Sequence, residues 1–187
     1  MTEPALFNID TATAKDAGIS PCGTYRYWLT RHWADGPLLG WIMLNPSTAD
    51  AEHDDPTIRR CIGFARAWGY AGIMVRNLYA LRATDPAALW NHPDPVGPDN
   101  DLHLRRSAES PLTVCAWGNH GSRNDRSRTI VSMLAGFGVR LRCLKTTSTG
   151  EPWHPLYVAA SVLPIAFPAP SSGSGTEAHD KEDGDGE

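Results

Sequence analysis

The chain has 187 residues, of which 41% are hydrophobic, and a formal net charge of −4. That composition predicts one globular domain with its own core and a tail, and it excludes a membrane span, because no apolar run is long enough. The charge is unevenly placed: of 21 acids and 17 Lys or Arg, residues 171–187 hold six acids and Lys181 alone, leaving a body of 15 acids and 16 bases. A near-neutral, arginine-rich body permits phosphate contacts without requiring them. Cys22, Cys61, Cys115 and Cys143 lie far apart with no paired C-x-x-C, so buried free thiols in a reducing, cytoplasmic compartment are expected. Zinc and iron–sulfur sites lack the ligand spacing they need, and no signal peptide is read.

Residues 1–21 show no periodicity and are expected to be an N-terminal arm outside a single domain over 22–168. Residues 24–33 are aromatic and β-forming, so a strand is predicted. Residues 34–37 make a turn and residues 38–44 return as a buried strand. A hairpin is therefore expected, with the first strand antiparallel on an otherwise parallel sheet. Asn45-Pro46 ends the second strand, because proline removes a donor and pushes its predecessor towards extended backbone. Asp55-Pro56 starts a helix whose apolar face is Ile58, Ile62, Ala65 and Trp68, and Gly69 stops it. A strand over 71–75 ends at Arg76-Asn77-Leu78-Tyr79.

Asp85-Pro86 starts a short helix to Trp90, a proline-rich loop follows, and residues 99–110 read as helical. A third core strand over 112–117 ends at Gly118-Asn119-His120. A helix over 124–137 and a fourth core strand over 139–144 come next, then a polar loop to His154 and a last helix from 155 to about 163. Residues 164–170 and the acidic tail 169–187 are expected to be disordered. The fold class read from this order is α/β: a three-layer αβα domain with a mostly parallel four-stranded central sheet and an N-terminal antiparallel strand.

Parallel strands would gather their polar ends on one rim, where ligands bind in open α/β sheets. The rim offers Asn45-Pro46-Ser47, Asn77, Asn119-His120 and His154, with Asp50, Asp54 and Asp55 nearby. There is no G-x-S-x-G elbow, phosphate loop or dinucleotide fingerprint. Ser47 with His154 as base makes a nucleophile on paper, but no spacing favours it. His53, Asp54 and Asp55 read as a helix cap before a metal site. A planar polar ligand suits the set better, since an Asn amide matches the donor–acceptor edge of a nucleobase. A histidine can stabilise a departing anion, and Tyr79 and Trp153 can stack on a base. Each has a plainer role: Asn77 as a strand-end cap, His154 as a structural residue, Tyr79 and Trp153 as packing.

Asn45-Pro46-Ser47-Thr48-Ala49-Asp50, Asp54-Asp55-Pro56-Thr57-Ile58-Arg59-Arg60, Trp68-Gly69-Tyr70, the run from Asn77 to Pro86 and His154-Pro155-Leu156-Tyr157 resemble the bacterial and phage family of domain of unknown function 1643. More distantly, Asn45-Pro46-Ser47, Asn77, Val114-Cys115-Ala116-Trp117-Gly118 and His154-Pro155 are similar in order and spacing to the motifs of the uracil-DNA glycosylase superfamily. That second resemblance implies a uracil-DNA glycosylase-like fold and a site without metal or cofactor. In it Asn45 positions water and His154 stabilises the leaving base. Pro46, Ser47, Asn77, Tyr79 and Trp153 hold the base, while Arg59, Arg60, Ser148 and Thr149 meet phosphate. The implied partner is DNA or a nucleotide, with no membrane and no obligate protein partner. Ser47 in place of glycine and Leu156-Tyr157 in place of small polar residues depart from the pattern. Two alternatives stay open: a non-catalytic nucleic-acid or nucleotide-binding module, and a small-molecule enzyme or protein-interaction domain on the same scaffold.

Overall fold

A computed structural model describes residues 14–168 except Thr48, Asp50, Ala51 and Pro86. The Asp50 carboxylate, the Thr48 hydroxyl, the proline of the Asp85-Pro86 helix start, most of the expected arm and the acidic tail lie outside the described residues.

Seven strands form one mixed sheet: β1 (Ala14–Ile19), β2 (Arg26–His32), β3 (Leu38–Met43), β4 (Gly72–Asn77), β5 (Thr113–Cys115), β6 (Leu141–Cys143) and β7 (Ile165–Ala166), in the order β1-β2-β4-β3-β5-β6-β7. β4, β3, β5 and β6 run parallel to one another, and β1, β2 and β7 are antiparallel to their neighbours. β3 is buried from Leu39 to Met43, as befits a parallel strand covered on both faces. Its side chains alternate: Leu39, Trp41 and Met43 enter one core cluster, Ile42 and Leu44 the other.

Helices cover both faces. α1 (Pro56–Ala67) buries Ile58, Cys61, Ile62, Phe64 and Ala65 in the first cluster. Its start is the expected one: Asp55 caps it, accepting from the Ile58 amide at 2.8 Å, and Pro56 fills the first turn, where its missing N–H costs nothing. Gly69, at φ +77°, turns the chain out of the helix. On the opposite face α2 (Ala87–Asn91), α3 (Asn100–Arg105) and α4 (Arg126–Gly136) contribute Leu89, Leu104, Ile130 and Leu134.

Several expectations are corrected. The sheet has seven strands rather than four plus one. β2 and β3 form no hairpin: β2 pairs with β4, Leu29 opposite Val75, and β4 separates it from β3. The link between them straddles Ala71, whose carbonyl accepts from Trp33 and Ala34 and whose amide donates to Pro37. It is thereby widened to admit a strand. β1 comes from the stretch read as an arm, and β7 from the stretch 164–170 read as disordered. The helix expected over 155–163 is a single 3-10 turn, Pro155–Tyr157, because Leu156 and Tyr157 face solvent and offer no apolar stripe. The helix expected over 99–110 ends at Arg105 and continues as a 3-10 turn, Arg106–Glu109.

Candidate functional site

The carboxyl ends of β3, β4 and β5 and the loop after β6 enclose a cavity of about 790 Å3. Asn45, Ser47, Asn77, Trp153 and His154, all singled out in the sequence, line it together. The loop after β3 and the loop after β4 are laced by backbone: Leu78 donates to Met43, Tyr79 to Leu44, and Ala83 to Pro46. This extends the β3–β4 pairing past the strand ends and sets Asn45 beside Asn77.

Asn45 uses its amide nitrogen internally. Nδ2 donates to the carbonyls of Ala83 at 2.7 Å and Pro46 at 3.1 Å. With both amide hydrogens committed, the side chain offers the cavity an acceptor, Oδ1. Asn77 is different. It is 1% exposed, and its Nδ2 is buried with no hydrogen-bond partner. Leaving a buried donor unmet costs about 1–3 kcal/mol. Its backbone is held firmly: the fully buried Asn100 donates to the carbonyls of Asn77 and Leu78 at 3.0 and 2.9 Å, and Arg126 adds a bond to Leu78 at 2.9 Å.

His154 precedes the 3-10 turn and caps it, Nδ1 accepting from the Leu156 amide at 3.4 Å. Burial pushes its pKa below the ordinary 6.5, against the opposing pull of Asp55. The neutral ring therefore carries its proton on Nε2 and is a donor. Trp153 places an indole in the wall. Its Nε1 is buried without a partner, and Lys145 Nζ lies 4.5 Å from the ring centroid. The loop carrying both residues is pinned to the segment after β5 and to α4: Gly118 donates to Pro152 at 2.8 Å, and Glu151 accepts from Trp117 Nε1 at 2.5 Å and from Ser127 at 3.0 Å.

Most of the other residues named from the sequence lie outside the cavity wall, whereas Asp55, Asn119 and His120 belong to it. Pro46 is buried, and its carbonyl serves the loop lacing. Tyr79 stands behind the wall, its hydroxyl donating to Arg123 O at 3.1 Å and its ring edge-on to Trp90. Arg59 donates to the Asp54 carbonyl at 2.5 Å. Arg60 turns inward, with Nε donating to Pro155 O at 3.4 Å and Nη2 to Val158 O. Thr149 donates to Asn119 Oδ1 at 2.9 Å, and Ser148 is exposed. Asp54 accepts from Arg31 Nε at 2.7 Å while Asp55 caps α1. Among the described residues no group of three His, Cys, Asp or Glu could hold a metal.

Asp55, Asn119 and His120, read on or near the rim without a specific role, are in the wall together with Arg26, Thr57 and Trp117, to which no site role was assigned from the sequence. Arg26 gave no signal, because it begins an antiparallel strand, and such a strand meets this rim at its start. Among the described lining residues Asp55 is the one carboxylate and the 3%-exposed Arg26 the one guanidinium.

Residues 26–156 match a family model described as Protein of unknown function (DUF1643). No curated protein and no solved structure matches the chain. No described helix is long and apolar enough to cross a membrane.

Proposed function

The chain belongs to the DUF1643 family, and we propose that its strand-end cavity is a nucleobase site of uracil-DNA glycosylase-like kind, recognising a base of DNA and cleaving its N-glycosidic bond. The observation that carries this reading is Asn77: a buried amide at a strand end, its Nδ2 unmatched, in the wall of the cavity. A ligand edge with an acceptor beside a donor meets both ends of that amide. Trp153 Nε1, also unmatched, asks for a second acceptor.

Three groups divide the chemistry. Asn45 Oδ1 orients a water towards the sugar carbon; it is too weak a base to do more. Asn77 reads the base edge. Neutral His154 donates from Nε2 to the oxygen on which charge gathers as the base leaves, a hydrogen bond that strengthens towards the transition state. Flipping a base costs a few kcal/mol in a duplex and less in a mismatch or single strand. Four central parallel strands with helices on both faces support the likeness of arrangement. Three buried free thiols favour a reducing, cytoplasmic setting.

The test is release of free base from labelled single- and double-stranded oligonucleotides carrying canonical, deaminated and modified bases. Release that falls at least about a hundredfold in Asn77→Ala and His154→Ala is expected. No release from any substrate by folded protein overturns the catalytic reading. A second reading, binding without turnover, is favoured by Asn45, whose amide hydrogens are both spent on backbone and which has no titratable group. It expects salt-dependent binding that Asn77→Ala weakens, with no base released.

A further inference from the structure

Arg76 immediately precedes Asn77 on β4 and therefore faces the other side of the sheet. Its side chain is 3% exposed, yet Nε has no hydrogen-bond partner. Its ion pair is loose, with Nη2 3.9 Å from Glu109 Oε2. Glu109 is better engaged elsewhere: it takes two bonds from Arg106, at 2.8 and 3.4 Å, and is 55% exposed. A buried guanidinium is normally paired and hydrogen-bonded, because desolvation penalises the charged form. Burial lowers its pKa to about 10, which still leaves it charged at neutral pH.

Arg76 and Arg106 both line a second cavity of about 200 Å3, walled by Trp28, Thr30 and Met74 and rimmed by Asp16. That is room for on the order of six waters, or one small oxyanion with part of its shell. We propose that this cavity is an oxyanion site taking a phosphate-type group between Arg76 and Arg106. Water can meet donors but cannot neutralise a buried charge, whereas a tetrahedral oxyanion supplies several acceptors and negative charge together. The Thr30 hydroxyl is a further donor in the wall. Asp16, whose Oδ1 accepts from the Ala17 amide at 2.7 Å, and Glu109 oppose any anion. They make the site selective: a dianion can displace Glu109 from Arg106, while chloride gains too little to do so.

The experiment uses the full chain at constant ionic strength and follows the Trp28 indole N–H signal by NMR, with melting temperature in parallel. Inorganic phosphate is titrated against chloride, then a nucleoside monophosphate and a short single-stranded oligonucleotide. Phosphate is expected to move the Trp28 signal saturably and raise Tm. Arg106→Gln, a change at a half-exposed side chain, should weaken binding about tenfold or more, and Arg76→Gln should abolish it. Equal affinity for phosphate and nucleotide assigns the site to a free phosphate group. Tighter nucleotide or oligonucleotide binding assigns it to the phosphate of a larger ligand. The proposal is overturned if phosphate moves the Trp28 signal no more than chloride does, or if Arg106→Gln binds as tightly as the native chain.

Discussion

Arg60 on α1 bonds to the carbonyl of Pro155, the residue that follows His154, and to that of Val158. Its guanidinium also lies 4.9 Å from the centroid of the Phe64 ring. One side chain thus ties the helix capped by Asp55 to the turn capped by His154. Arg60→Met keeps much of the stem and removes the donors, so it should cost about 2 kcal/mol in urea unfolding. Ligand binding at the cavity should weaken with it. Arg60→Lys should not restore stability fully, because a single ammonium cannot reproduce the fork.

Gly121 lies against the Trp117 ring: a Cβ there would come within 2.0 Å of its Cδ1. Trp117 is in the cavity wall and is held by Glu151. Gly121→Ala should therefore destabilise by about 1–3 kcal/mol and also disturb ligand binding. Gly63→Ala on α1, where a Cβ meets nothing within 4 Å, is the control and should be neutral or slightly stabilising. Thermal melts of the two variants check this.

Burial holds the pKa values of both His154 and His103 below 6.5. Between those lowered values and 6.5 the unfolded chain binds more protons than the folded one, so stability rises with pH across that window and is lost on acidification through it. Urea midpoints should fall between pH 7.5 and pH 5. His154→Gln should flatten the dependence; an unchanged slope in that variant would assign the effect to His103 and other groups.

Cys22 is the exposed thiol among the four cysteines, and Ser20 and Thr24 lower its pKa to about 7 by hydrogen bonding. Burial raises Cys61 and Cys115 well above the usual range and Cys143 to about 11. Iodoacetamide at pH 7.5 should label Cys22 alone in the native state, read by peptide mass spectrometry. Uniform labelling of all four would mean that the buried thiols open readily.

Asp54 accepts from Arg31, which is fully buried. Arg31 also donates to the carbonyls of Thr30 and His53, so Asp54→Ala, which removes one partner of several, should cost about 1–3 kcal/mol in the native chain and less in an Arg31→Met background. The double-mutant cycle by urea unfolding separates the two terms.

The parts of the fold legible in the sequence were those governed by local chemistry. The Asp55-Pro56 start of α1, the Gly69 stop and the apolar runs of the parallel strands are short-range signals. Hence Asn45, Asn77 and His154 fall on one rim once the strands they follow are taken as parallel. Pairing partners were not legible. Nothing in the five residues between β2 and β3 reveals that a later strand will enter between them. The carbonyl contacts of Arg59 and Arg60 were likewise hidden: the resemblance implies phosphate contacts for both, and the carbonyls an arginine can reach from a helix are known only from the fold. Arg26 and Asn100 escaped for a related reason: Arg26 reaches the carbonyl of Ala49 and Asn100 those of Asn77 and Leu78, all more than twenty residues away in sequence.

Both edges of the sheet are finished by short stretches, one read from the sequence as an arm and the other as disordered. β1 covers β2 along a run from Ala14 opposite His32 to Ile19 opposite Arg26, and β7 covers β6. Trimming the chain to residues 22–163 would bare the outer N–H and C=O groups of Arg26–His32, an open template for another chain. The same strand begins with Arg26, part of the cavity wall. Such a shortened protein would therefore tend to self-associate, and a neighbouring chain docked on that edge would lie beside the site.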